Sequence, residues 1–369
     1  MRQGRIGTTI VALGMAAVGV IGIGVVGIGV VGIAQPLHGQ VGGGCAPSVF
    51  VANGDDGNLS VIDTATDTVE GAPITVGGGP IGVAATPDGA RVYVTNNGAS
   101  SVSVVDTATR SVVATIPDLA SAQGVAITPD GSRAYVTHFF FGSTVSVIDT
   151  ATNAVTGSPI TVGSGPTAVA FTPDGTRAYV TNNAGASVSV VDTTTNTEVD
   201  SIVVDANPVS VAITPDGSRA YVPHDNAGNT VTVIDTATNT VVDSIAVGTN
   251  LGEIAITPDG GRAYVTIFGD DSVAVIDLAT NTVLGAPITV GSSPGGISLT
   301  PDGTRAYLTN ENGGSVSVID TTTDTVVGEP ITVGSSPGGL AIAPCPPSPP
   351  PGPDPTAPTA VVLEPRFTG

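Results

Sequence analysis

Along most of the chain apolar and polar positions alternate in short runs, and Gly, Pro, Asn and Asp interrupt those runs at regular intervals. Alternation with a period of two predicts β-strands, because successive side chains point to opposite faces of a pleated sheet. One strand type, exemplified by Val125-Ala126-Ile127, Val169-Ala170-Phe171 and Ile254-Ala255-Ile256, pairs large residues with small ones and carries no charge on either face. Such a strand is expected to be buried on both sides, with the recurrent Ala suited to crowding near an axis.

The pattern is a repeat. Asp-Thr-(Ala/Thr)-Thr begins at Asp63, Asp106, Asp149, Asp192, Asp235 and Asp320, with a Leu variant at Asp277, so the period is 42 or 43 residues. Thr-Pro-Asp-Gly begins at Thr86, Thr128, Thr172, Thr214, Thr257 and Thr300. Each unit reads as four strands. Strand a is the Val-Ala-Ile type, b is Ala134-Tyr135-Val136-Thr137 and its equivalents, c is Val145-Ser146-Val147-Ile148, and d is the Thr/Val-rich segment that follows. Pro-Asp-Gly supplies the fixed φ and the positive φ that a tight a–b turn needs, and the Asp before Thr-Ala-Thr offers an Asx-type turn between c and d. Tandem units of this length, each a sheet buried on both faces, predict an all-β, seven-bladed β-propeller of four-stranded antiparallel blades. A linear solenoid would require polar terminal repeats, and none is visible.

The ends fix how the ring closes. The first copy begins at strand b (Ser48) and the last stops after a lone strand a (Gly339 to Pro344), so N-terminal strands b, c and d are expected to pair with C-terminal strand a. Cys45 and Cys345 then fall at the two broken ends of one a–b turn and should form a disulfide in an oxidising compartment.

Composition narrows the partners. Acids outnumber bases by 31 to 10, Lys is absent, and the net charge is −21. Nucleic acid is disfavoured, because phosphate contacts need clustered cations. Arg2 and Arg5 precede a long uncharged apolar run, so residues 1–34 read as a signal peptide or an uncleaved membrane anchor, the chain's only expected membrane contact, and the protein as secreted or held at the cell surface. Residues 35–44 read as a Gly-rich linker, 45–345 as the propeller and 346–369 as a Pro-rich, disordered tail.

Tyr93 to Asn96 and Tyr179 to Asn182 read Tyr-Val-Thr-Asn, with Thr-Pro-Asp-Gly upstream and Val-Ser-Val-(Ile/Val)-Asp-Thr downstream. This string resembles the YVTN family of β-propeller repeats, over about Ser48 to Pro344. The resemblance implies a surface-layer-type seven-bladed propeller and assigns no chemistry.

The b–c and d–a loops of a propeller share one face, where ligands often sit. The strand-b ends on that face are Asn53, Asn96, His138, Asn182, His224, Ile267 and Asn310, and all but Ile267, together with Phe139, Phe140 and Phe141, form the candidate binding surface. His138 and His224 could form an acid–base or metal pair, or simply replace Asn as strand-end hydrogen bonders. The Phe cluster is either a contact surface or a cover for the blade edge. Asp55 and Asp56, with Asp270 and Asp271, are loose Ca²⁺ candidates, and no other cofactor is expected. Asp225 and Glu311 also lie in these loops. The recurrent Asp of Pro-Asp-Gly and the following Arg, such as Asp174 and Arg177, are expected to pair locally. With no catalytic grouping visible, the sequence favours a non-enzymatic scaffold that binds protein, glycan or its own copies at the cell surface. The alternative is an axial-pocket enzyme such as a lactonase or a quinone-dependent dehydrogenase.

Overall fold

A computed structural model describes residues 45–140, 142–225 and 229–346. The leader, the linker, Phe141 and the tail beyond Pro346 lie outside the described residues. The rest is seven antiparallel sheets, and helix is limited to one short 3₁₀ turn, Phe268–Asp270.

Blade 1 is typical. Its strands a to d are Pro80–Ala85, Arg91–Asn96, Ser101–Asp106 and Ser111–Ile116, paired in that order. Blades 2 to 6 follow along the chain, with inner strands Ala122–Ile127, Pro166–Phe171, Ala212–Ile213, Leu251–Ile256 and Pro294–Leu299. Each inner strand neighbours the next, and the cycle closes on itself. The result is a seven-bladed propeller, and its cores lie between successive blades: Tyr93, Val102 and Val104 of blade 1 pack with Val125, Ala134 and Val136 of blade 2.

Blade 7 is assembled from both ends of the chain, as the repeat register requires. Ser48–Asn53 pairs with Asn58–Asp63 on one side and with Pro337–Ala343 on the other, in the register Ser48↔Ala343, Val49↔Ile342 and Phe50↔Ala341. Cys45 and Cys345 are joined in a disulfide with their Cα atoms 6.0 Å apart, closing a separation of 300 residues. The junction is tight. Gly89, in the a–b turn of blade 1, has φ +69° and lies where a Cβ would come within 1.9 Å of the Pro344 carbonyl oxygen. Only glycine satisfies both constraints.

Two hydrogen-bonded belts tie blade to blade. In the outer belt the strand-b Tyr of one blade donates to the c–d turn of the next, as Tyr93 does to Asn153 (2.6 Å), Tyr179 to Asn239 (2.8 Å) and Tyr307 to Asp67 (2.5 Å). The acceptors sit in the left-handed region, with φ near +53° at Asp67, Asn153 and Asn239, where Asn and Asp are the best tolerated non-Gly residues. In the inner belt a strand-b Thr fills a bulge. Thr95 Oγ1 accepts the Gly82 N–H of its own blade (2.8 Å) and donates to the Gln123 carbonyl of the next (2.7 Å). Thr137, Thr266 and Thr309 repeat the stitch to Thr167, Gly295 and Gly338.

The turns depart from the sequence reading in one respect. Asp174 does not pair with Arg177. Its carboxylate accepts from Thr172 Oγ1 (2.6 Å) and Thr176 N (3.0 Å), whereas Arg177 reaches the Thr236 carbonyl in the next blade (3.4 Å). An Asx-type turn satisfies the Asp locally, and the long Arg stem lies across the blade interface instead. The ion pairs formed by described residues also cross between blades: Arg110–Glu70, Arg262–Asp324 and Arg305–Asp67.

Candidate functional site

Seven equivalent positions define the face built by the b–c and d–a loops. The residue just after strand b donates its N–H to a carbonyl in the d–a loop of the same blade. The pairs are Gly54 to Ser336, Asn97 to Gly79, Phe139 to Ser121, Asn183 to Gly165, Asp225 to Asn207, Phe268 to Asn250 and Glu311 to Ser293, at 2.9–3.1 Å. The side chains at two of these positions reach across to the segment that begins the next inner strand: Asn97 Nδ2 meets the Ala122 carbonyl (3.2 Å) and Asn183 Nδ2 the Pro208 carbonyl (3.3 Å).

The strand-end ring read from the sequence lies one position earlier, and it is occupied with holding the loops. Asn96 Nδ2 donates to Ser101 Oγ (3.2 Å) and Ser103 Oγ (2.9 Å), and Asn182 and Asn310 do the same with Ser187, Ser189, Ser315 and Ser317. Asn53 binds Asn58 and Ser60, and its Oδ1 accepts the Gly334 N–H across the seam (3.1 Å). All four are fully buried. His138 and His224 occupy the same place with the same kind of partners. His138 bridges the Ala120 carbonyl (2.7 Å) and Ser146 Oγ (2.8 Å); His224 bridges the Ala206 carbonyl (3.2 Å) and Thr232 Oγ1 (2.8 Å). Burial lowers the His224 pKa and favours its neutral form. The two imidazoles belong to blades 2 and 4 and share no partner.

Phe139 and Phe140 pack edge to face with centroids 4.9 Å apart, and Phe140 is exposed. The Ca²⁺ candidates fall on blades 7 and 5. Asp55 Oδ2 accepts from Ser336 Oγ (2.6 Å), Asp56 Oδ2 from Ser335 N (2.8 Å) and Asp271 Oδ1 from Ser293 N (2.7 Å). Among the described residues no group of three or more His, Cys, Asp or Glu is placed to hold a metal ion.

Two carboxyl groups stand out. Glu311, in the b–c loop of blade 6, is half-buried, and its Oε2 is enclosed without a protein partner. Desolvation, reinforced by the charge of Asp55 on blade 7, pushes its pKa up to about 7. Glu253 lies on the inner strand of blade 5 and is wholly buried. Its Oε2 accepts the Ile297 N–H of blade 6 (3.0 Å), its Oε1 has no partner, and burial raises its pKa well above the ordinary carboxyl range. Strand a therefore does carry an ionisable group in one blade. Aligning the repeats on Thr-Pro-Asp-Gly exposes it, because the equivalent positions are Gly82, Gly124, Ala168, Ser210, Gly296 and Gly339. The same alignment, moved one residue past strand b, picks out Glu311 among Gly, Asn, Phe and Asp.

Among known proteins, residues 144–332 match the family model described as "Lactonase, 7-bladed beta-propeller". The chain belongs to this lactonase family. No protein of curated function matches the sequence. Solved structures share the fold. A chain of the hydrazine synthase of Kuenenia stuttgartiensis has a TM-score of 0.69 and 25% identity, covering 79% of this chain and 99% of that one. A protein of unknown function from Desulfotomaculum acetoxidans has a TM-score of 0.69 at 20% identity, over 81% and 99% of the two chains. A protein from Bacteroides uniformis, provisionally described as a 6-phosphogluconolactonase, has a TM-score of 0.66 at 16% identity, over 80% and 99%. Membership of the lactonase family overturns the expectation of a non-enzymatic surface scaffold and favours the enzymatic alternative. The physical reason for the error is the ring that was read. Its Asn and His brace the hairpins, whereas Glu311, one residue further on, was placed in the loops but given no chemical role.

Proposed function

We propose that this chain is an exported lactone hydrolase working on its b–c/d–a face, with Glu311 as the acid–base group. The carrying observation is Glu311 itself, a carboxyl poised near pH 7 with one enclosed, unpartnered oxygen on the face where propeller ligands sit. A group titrating there is populated in both forms at neutral pH. As carboxylate it takes a proton from the water that attacks the lactone carbonyl. As carboxylic acid it returns that proton to the ring oxygen when the C–O bond of the tetrahedral intermediate breaks, so that lactone and water give one hydroxy acid. Family membership supports the reaction class. Repeats of the YVTN type, the Arg-led apolar leader and the Cys45–Cys345 disulfide support secretion or display at the cell surface. Hydrolysis of glucono-δ-lactone, followed by pH-stat with the parent protein and Glu311→Gln, tests the proposal. Turnover by the parent that collapses in the variant upholds it; equal rates in both, or none in the parent, overturn it.

A further inference from the structure

Carboxylates line both faces of the ring, but among the described residues every cationic side chain lies on one of them. Arg91, Arg133, Arg177, Arg219, Arg262 and Arg305 all open strand b and therefore lie at the a–b end of the blades. Arg110, in the c–d turn of blade 1, lies at the same end. Among the described residues the b–c/d–a face has neither Arg nor Lys. It carries Asp55, Asp56, Asp118, Asp205, Asp271 and Glu311, among other carboxylates. Its buried imidazole, His224, is pushed towards the neutral form. Recognition of a phosphate group requires a cationic fork, a helix N-terminus or a nest of N–H groups. On this face the N–H groups just past strand b are already taken by d–a loop carbonyls.

From this segregation we infer that the face accepts uncharged or cationic lactones and rejects phosphorylated ones. The inference rests on the lactone-hydrolase reading and specifies its substrate class. A face of one sign attracts opposite charge and repels like charge over about a Debye length, roughly 10 Å at 0.1 M salt. The acidic wall therefore acts on approach as well as on contact, and it leaves no counter-charge for a phosphate dianion. It separates this chain from what a phosphosugar lactonase needs in its binding site.

The experiment compares kcat/KM for three intact lactones at low and at raised NaCl: glucono-δ-lactone, 6-phosphoglucono-δ-lactone and α-amino-γ-butyrolactone, assayed below its amine pKa so that it carries a positive charge. The phosphorylated lactone is expected to be poorer than glucono-δ-lactone by at least about tenfold at low salt and to improve as salt is added. The amino-lactone should lose rate with salt, and the neutral lactone should change little. A phosphorylated lactone that is the best substrate, or one whose kcat/KM falls as salt rises, overturns the inference. If none of the three is hydrolysed, the acid–base reading of Glu311 fails by itself, and saturation-transfer NMR with the same lactones still decides the substrate class. Binding in the same order with the same salt trends upholds the inference; preferential binding of the phosphorylated lactone, or no binding by any, overturns it.

Discussion

The Tyr307 hydroxyl donates to Oδ1 of Asp67, a residue 240 positions away along the chain and in the neighbouring blade. Every strand-b Tyr makes the equivalent bond, but blade 7 has Phe50 in the Tyr position, and the next blade has Arg110 where the others have Asn or Asp. Donor and acceptor are lost together at one junction. Arg110 turns instead to Glu70.

This pairing predicts a coupled rescue. Phe50→Tyr alone would bury a hydroxyl without an acceptor, and Arg110→Asn alone would remove the ion pair to Glu70. The double variant restores the belt. Urea denaturation of the four proteins should give a favourable coupling of about 0.5–1.5 kcal/mol, the usual net worth of one such hydrogen bond. Strict additivity would show that the two positions do not meet.

Removal of the seam disulfide should be costly. Cys45→Ser with Cys345→Ser is expected to destabilise the ring by about 2–5 kcal/mol. Reductant should lower the melting temperature of the parent protein and leave the double variant unchanged. A parent insensitive to reductant would mean that backbone pairing of Ser48–Asn53 with Pro337–Ala343 closes blade 7 unaided.

Glu253 should give the protein an unusual pH response. Its pKa in the folded state is raised by burial, so the folded protein holds a proton that the unfolded chain releases above about pH 4.5. Through this group stability falls as pH rises from that value towards the folded pKa. Glu253→Gln removes the linkage, and its melting temperature relative to the parent should climb between pH 5 and pH 8. Parallel pH profiles for the two proteins would place the burden on other groups.

For Glu311, the lactone-hydrolase reading predicts a rate profile with an inflection near pH 7. Glu311→Gln should lower kcat by about 10²–10⁴ fold, the typical contribution of a positioned acid–base group. Asp55→Asn removes the charge that helps to raise the Glu311 pKa, so its inflection should move to lower pH. An unmoved inflection would show that desolvation alone sets it.

The fold was legible because it is written seven times. Thr-Pro-Asp-Gly and Asp-Thr-Ala-Thr mark turns whose hydrogen bonds are local, and the split copy at Ser48 and Ile342 announces its own closure. The candidate site was legible only in part. Asn96 and its equivalents looked like surface residues because they end a strand, yet Ser five and seven positions later draws their amides inward; that Asn-to-Ser spacing was the available signal. Glu253 was hidden because strand a appeared to begin at Ile254, and Glu311, visible as a loop acid, gave no sign of its burial. Both are single departures from a repeat, and they become visible when the copies are stacked residue by residue. Burial raises the pKa of both, and Asp55 arriving from another blade adds to that of Glu311, which no linear pattern records.

The strand-b Thr is missing in two places, and in blade 3 Thr181 acts through Thr167, which donates to the Pro208 carbonyl of blade 4 (3.4 Å). Blade 4 has Pro223 and blade 7 has Ala52 where the other blades have Thr, so the contacts from blade 4 to 5 and from 7 to 1 lack that hydroxyl. These two fault lines divide the circle into an arc of blades 1 to 4 and an arc of blades 5 to 7. Heat or load is expected to find these junctions before the fully stitched ones, and Glu253 and Glu311 both sit in the smaller arc.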